Sequence, residues 1–157
     1  DRPKGIRPTE LTAPRDEAPV LVPPVLRDML GVTAADVYLS PAPLYHAAPL
    51  RFCLAFHQLG AAVVVMERFD AEHALRVIAE RGVTATQMVP TMFVRMLKLP
   101  DEVRAGYDVS SLQLAIHAAA PCPIPVKQAM IEWLRPKLVE YYPGSESNSF
   151  LAISAPE

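Results

Sequence analysis

The sequence lacks the features that define several protein classes. No apolar run approaches the roughly 20 residues that a membrane-spanning helix needs, and no signal-peptide pattern opens the chain. Cys53 and Cys122 are far apart and have no Cys/His spacing typical of a zinc site. The formal net charge of −2 gives no positive excess for nucleic acid or an anionic membrane. We therefore expect a cytoplasmic protein that does not bind nucleic acid and has no integral membrane segment.

The chain divides into two regions of different composition. Its 157 residues are 51% hydrophobic and 20% charged, which is typical of one globular unit with a sizeable core. Residues 7–24 are rich in proline and charge, and they lead into a predicted short helix at residues 25–30 that Gly31 would end. We expect residues 1–35 to form an irregular lead-in and residues 36–157 to form a βα-repeating subdomain.

Strand-like runs alternate with helical periodicity from Asp36 onward. Five strands are predicted at residues 37–40, 61–66, 83–89, 112–117 and 137–142. Four helices lie between them, and each connection is long enough for a right-handed crossover. This pattern predicts an α/β fold with a mainly parallel, doubly wound sheet and helices on both of its faces.

Several details of the packing follow from residue spacing. The run at residues 61–66 is apolar throughout, which favours a strand covered on both faces. Leu50, Cys53, Leu54 and His57 fall on one face of the first helix. The methionines and phenylalanine of the third helix favour a core role over an acyl-chain tunnel. The charged run at residues 101–104 favours a solvated loop.

The loops at the carboxyl ends of the strands carry unusual combinations of residues. In open parallel sheets, ligands bind outside the carboxyl ends of the strands. The five predicted loops contain the sequences SPAPLYHAAP, ERFD, VPT, HAAAPCP and PGSES. A ligand site is therefore expected at this edge of the sheet.

Four motifs occur in one order along the chain: RPKG at residues 2–5, PLYHAAP at 43–49, HAAAPCP at 117–123 and YPGSE at 142–146. Together they resemble motifs of the adenylate-forming acyl-CoA synthetases, the AMP-binding superfamily. The linking text resembles the branch of fatty-acyl and aryl CoA ligases. The resemblance covers nearly the whole chain.

The resemblance implies roles at both ends of the chain. Lys4 and Gly5 would belong to the end of a loop that holds the phosphates of ATP. Tyr142 would stack on adenine, Gly144 would lie in the same nucleotide-binding loop, and Ser145 would offer its hydroxyl to the phosphate or the acyl-adenylate. Glu146 would hold Mg²⁺, a hard cation that prefers carboxylate oxygen.

Two further sites come from the middle of the chain. By the resemblance, Ala119, Ala120 and Pro121 form a small-residue turn against which adenine lies, although a tight packing turn would have the same composition. His46 would border the acyl pocket or act as a structural histidine. His117 would line the same pocket or be buried with hydrogen bonds.

The implied reaction joins a carboxylic acid, fatty or aryl, to coenzyme A at the expense of ATP. The resemblance also implies that the site extends beyond this stretch, so we expect the 157 residues alone to be inactive. Two alternatives stay open. The chain could be a non-catalytic remnant or flavodoxin-like binding module, or it could belong to an amino-acid adenylation domain.

Overall fold

A six-stranded sheet with the order β2-β1-β3-β4-β5-β6 forms the centre of the molecule. The strands are β1 (Val37–Ser40), β2 (Ala62–Val65), β3 (Ala85–Met88), β4 (Leu114–His117), β5 (Lys137–Pro143) and β6 (Phe150–Ser154). The first five run parallel, and β6 pairs antiparallel with β5. This computed structural model describes residues 22–134, 137–143 and 150–154. The predicted α/β fold with a doubly wound, mainly parallel sheet is confirmed.

Helices cover both faces of this sheet. The helices are α1 (Val22–Pro24), α2 (Ala47–Gln58), α3 (Ala71–Arg81), α4 (Pro90–Leu97), α5 (Asp101–Ala105) and α6 (Ile124–Leu134), and a π-helical turn (Val25–Met29) continues α1. One apolar cluster holds α3, α4 and α6 against one face. A second cluster holds α2 and the π-helical turn against the other. Within the described residues, no helix is long and apolar enough to cross a membrane.

Local signals in the sequence explain where the helices begin and end. Asp70 caps α3, since its Oδ1 accepts a hydrogen bond from the backbone N–H of His73 at 2.8 Å. Gly82 ends the same helix with φ of 59°, a left-handed conformation that glycine adopts at little cost. Pro90 stands at the first position of α4, where its missing N–H is no loss.

The face that α2 buries differs from the prediction. Phe52, Cys53 and Phe56 face the sheet, and the ring of Phe56 stacks on Tyr38 at 4.3 Å between centroids. Leu50 and Leu54 are 44% and 55% exposed. The aromatic side chains offer more apolar area to the sheet than the leucines do, and they therefore set the rotation of the helix.

Three further features depart from the sequence prediction. β2 is an edge strand with Ala62 and Val65 exposed, because its neighbour β1 lies on one side only. The charged run expected as a loop forms the short helix α5, although its side chains are largely solvated as expected. The antiparallel β6 was not predicted.

By contrast, the expected core role of the residues on α4 and just before it is confirmed, since all are buried: Met88, Met92, Phe93 and Met96.

Candidate active site

The strand order places a topological switch point between β1 and β3. From β1 the chain crosses to β2 on one side, and from β2 it returns past β1 to β3. The connections that leave the carboxyl ends of β1 and β3 therefore run in opposite directions across the sheet, and ligands of open parallel sheets bind at such a point. The SPAPLYHAAP and VPT loops follow β1 and β3 at this point.

Among the described residues, several buried polar atoms beside this switch point have no hydrogen-bond partner. The β1–β3 ladder has two paired positions, Tyr38 with Ala85 and Leu39 with Thr86, whereas the β1–β2 and β3–β4 ladders have four. Within the described residues, the Tyr38 hydroxyl, Ser40 Oγ and Gln87 Oε1 have no hydrogen-bond partner. Sequence reasoning missed these residues. The signal was present, because Ser40 is a polar residue at the end of β1 and Gln87 is a polar residue next to the end of β3.

The turn that follows β4 is exposed and strained. Ala119 has φ of 75°, a conformation that costs an alanine about 1–2 kcal/mol. Ala119, Ala120 and Pro121 are exposed, whereas Ala118 is buried at the end of the strand. A flat ligand can approach the backbone here because no large side chain covers it. The three residues expected to contact adenine thus lie at an accessible carboxyl end of the sheet.

His117, the last residue of β4, is buried at the start of that turn. Its side chain is fully buried, and the Phe93 ring meets it edge-on at 5.6 Å between centroids. Neither ring nitrogen has a hydrogen-bond partner among the described residues. The expected burial is therefore present, but the expected hydrogen bonds are not.

An ion pair lies next to this histidine. Lys127 Nζ on α6 donates to Glu140 Oε2 on β5 at 2.9 Å, and His117 Nε2 lies 4.0 Å from the same carboxylate oxygen. Burial lowers the pKa of His117, with Glu140 opposing and Lys127 reinforcing the shift. The imidazole is therefore neutral near neutral pH, and the carboxylate pairs with the lysine.

Burial also raises the pKa of the nearby Cys122 thiol, and the Glu140 charge adds to that shift. A raised thiol pKa leaves Cys122 protonated at neutral pH. The contact between Lys127 and Glu140 ties α6 to β5.

His46 stands at the N-cap position of α2 and is exposed. It makes no side-chain capping hydrogen bond, and its ring lies 4.4 Å from that of Tyr45, which is 83% exposed. α2 packs on the opposite face of the sheet from the helices around His117. The structure therefore does not bring the two predicted pocket histidines together on one face.

The remaining predicted site residues can be located only in part. Lys4, Gly5, Gly144, Ser145 and Glu146 lie outside the described residues. The backbone of Tyr142 is in β5, opposite Leu151 of β6. In the part of the chain that the structure describes, no group of three His, Cys, Asp or Glu side chains is arranged to hold a metal ion. The predicted magnesium ligand stays a prediction.

Comparison with known proteins identifies the family. The sequence profile of the AMP-binding enzyme family matches residues 21–157. An acyl-CoA ligase of Aspergillus fumigatus, sidI, is 34% identical over 116 residues, covering 73% of this chain and 19% of that protein. The 4-coumarate–CoA ligase 5 of Oryza sativa subsp. japonica is 37% identical over 87 residues, covering 55% of this chain and 16% of that protein.

Solved structures show the same fold. The N-terminal domain of FACL13 from Mycobacterium tuberculosis matches with a TM-score of 0.66 and 25% identity, covering 73% of this chain and 28% of that chain. Unliganded O-succinylbenzoate coenzyme A synthetase from Bacillus subtilis matches with a TM-score of 0.71 and 23% identity, covering 84% and 28%. This chain spans about a fifth of the length of the curated relatives. The chain belongs to the AMP-binding enzyme family.

Proposed function

We propose that the full-length protein is an acid–thiol ligase that activates a carboxylic acid with ATP and transfers the acyl group to coenzyme A. The observation that carries the proposal is the strained, exposed turn at Ala119, lying at the carboxyl end of a parallel sheet in a member of the AMP-binding enzyme family. The curated relatives include acyl-CoA and 4-coumarate–CoA ligases, which supports this class of reaction.

The reaction has two steps. An oxygen of the substrate carboxylate attacks the α-phosphorus of ATP, and pyrophosphate leaves to give an acyl-adenylate. The sulfur of coenzyme A then attacks the acyl carbon, AMP leaves, and the thiol proton passes to solvent. Neither step needs a covalent nucleophile of the protein, so the protein contributes positioning and stabilisation of phosphate charge.

Residues of this chain have proposed roles in that positioning. Adenine would lie against the turn of Ala119, Ala120 and Pro121, and the aromatic ring of Tyr142 would stack on it. Lys4 and Gly5 would hold phosphate oxygens, and Ser145, next to Gly144, would donate its hydroxyl to the phosphate. These assignments rest on the motifs and on the accessibility of the turn.

A magnesium ion and two histidines complete the proposal. Glu146 would be a ligand of Mg²⁺, which when bound neutralises negative charge on the phosphates. His46, exposed at the start of α2, would border the acyl group of a fatty or aryl acid. His117 is sealed from solvent and would support the nucleotide turn from below. Solved structures of O-succinylbenzoate coenzyme A synthetase contain ATP with magnesium ion and an acyl-adenylate, respectively.

ATP–pyrophosphate exchange in the full-length protein tests the proposal. A panel of aliphatic and aromatic acids is offered, and we expect exchange that depends on one class of acid and on Mg²⁺. Glu146→Ala is expected to reduce exchange by a factor of about 100 or more, because charge stabilisation at the phosphates is lost. Glu80→Ala, an exposed change at the end of α3, is the matched control.

Three outcomes would overturn parts of the proposal. Unchanged Mg²⁺ dependence in Glu146→Ala would remove that residue from the metal site. If the protein is folded but neither binds ATP nor catalyses exchange with any acid, the non-catalytic binding module would be favoured. Exchange with amino acids alone would favour the amino-acid adenylation reaction.

A further inference from the structure

A cavity that has no part in the proposed ligase site opens between the β2–α3 loop, α3 and α4. Its volume is about 510 Å³, within the range of ligand-binding clefts. It is lined by Arg68, Phe69, Asp70, His73, Arg76 and Arg95. Three of these residues come from the ERFD loop, to which the proposed ligase reaction assigns no role.

The lining is strongly cationic for a chain whose net charge is −2. Its lining includes three arginines and a histidine but only one acidic residue, Asp70. That carboxylate already caps α3 through the His73 N–H. Among the described residues, no carboxylate oxygen lies within 4.0 Å of a guanidinium nitrogen of Arg68, Arg76 or Arg95. The cavity therefore concentrates positive charge that the protein does not neutralise.

Part of this lining is held in place. The guanidinium carbon of Arg95 lies 4.9 Å from the centre of the Phe69 ring, a cation–π contact that restricts its rotation. Glu72, in the first turn of α3, accepts a hydrogen bond from the Tyr107 hydroxyl at 2.9 Å. A guanidinium that is fixed before a ligand arrives loses less entropy when it binds an oxyanion.

The cavity is separate from the turn proposed to hold adenine. It follows β2 at one edge of the sheet, whereas the turn follows β4, with β1 and β3 between them. Three strand spacings correspond to about 14 Å. An adenine that lies against the turn would therefore leave the arginine cavity free.

We propose that this cavity is a second binding site, for a phosphorylated ligand. Guanidinium groups bind phosphate oxygens with paired, charge-assisted hydrogen bonds, and three arginines line a space large enough for a phosphate ester or diphosphate. The site does not depend on the ligase reaction, so its test uses binding alone.

Titration calorimetry of the full-length protein with pyrophosphate and with adenosine 3′,5′-bisphosphate tests this site. In the Arg68→Gln/Arg95→Gln double variant, the affinity of one binding component is expected to fall by a factor of at least about 10, since two charge-assisted contacts disappear. Arg51→Gln and Arg81→Gln, exposed arginines outside the cavity, are the matched controls. Circular dichroism checks that each variant is folded.

Further measurements distinguish this site from the ligase site and identify the source of the phosphate. Glu146→Ala is expected to retain the binding component that is weakened in the double variant. The ligase reaction is measured separately, by pyrophosphate exchange. Sedimentation with phosphatidylcholine vesicles, with and without phosphatidic acid, tells whether a lipid headgroup can supply the phosphate. Binding of every probe that is equal in the wild type and the double variant would overturn the proposal.

Discussion

At the scale of single residues, His117 shows how burial changes the chemistry of a side chain. The sequence places it at the end of a strand, where a histidine can line a ligand site. In the folded chain it lies between Phe93 and the Lys127–Glu140 ion pair, with no hydrogen bond to either ring nitrogen among the described residues. Burial disfavours the charged imidazolium, so the pKa falls below the usual 6.5.

This depressed pKa predicts a loss of stability in mild acid. Below pH 6.5 the unfolded chain binds a proton at His117 while the folded chain does not, until the pH also falls through the lower folded pKa. Within that window stability falls by up to about 1.4 kcal/mol per pH unit. Thermal unfolding of the full-length protein between pH 7.5 and 5 is expected to show this decline, and His117→Leu is expected to reduce it.

The control for this experiment is His57→Gln, because His57 is exposed on α2. Its pH dependence should match that of the wild type. A histidine resonance assigned by its loss in His117→Leu should also titrate below pH 6.5 by NMR. Titration at or above that value would contradict the effect of burial.

At the scale of elements, the sequence predicted helix ends better than helix faces. Asp70 and Gly82 are local signals, because a cap bonds to a backbone N–H three residues away and glycine alone enters the left-handed region cheaply. The buried face of α2 depends instead on what lies opposite. Tyr38 of β1 and Tyr141 of β5 meet Phe52 and Phe56, and this aromatic contact leaves the leucines outside.

The cap of α3 gives a prediction at this scale. Asp70→Ala is expected to destabilise the first turn of the helix by about 1 kcal/mol, since the His73 N–H loses its acceptor. Hydrogen–deuterium exchange of peptides that cover α3 should become faster by about fivefold. Asp70→Asn keeps a capping oxygen and is expected to exchange nearly as the wild type does. Equal exchange in Asp70→Ala and the wild type would show that the cap contributes nothing.

At the scale of the whole molecule, this chain is a βα-repeating unit that matches only part of its much longer relatives. It covers 19% of the Aspergillus relative and 28% of the FACL13 N-terminal domain chain. The proposed ligase site includes several loops at one edge of the sheet, and nothing encloses the exposed turn at Ala119 among the described residues. A site that is open on one side binds nucleotide weakly, because few of its contacts are in place at once.

The 157-residue chain alone is therefore expected to bind ATP weakly and to form no coenzyme A ester. Calorimetry with ATP and a mass-spectrometric assay for acyl-CoA measure the two properties. The full-length protein, assayed with the same acids, is the positive control. Measurable thioester formation by the 157 residues would contradict this expectation.

The sequence alone determined the class of fold, since alternating strand and helix periodicity with long crossovers admits few arrangements other than a doubly wound sheet. Its four ordered motifs also indicated the family, because they depend only on residue identity and order. Strand order was decided by tertiary structure, which put the apolar β2 at an edge and opened the switch point beside Ser40 and Gln87. The arginine cavity arose in the same way, since Arg68 and Arg95 are 27 positions apart in sequence and meet only where α4 packs beside α3. Local interactions specify caps and periodicity, whereas non-local packing selects which side chains share a surface.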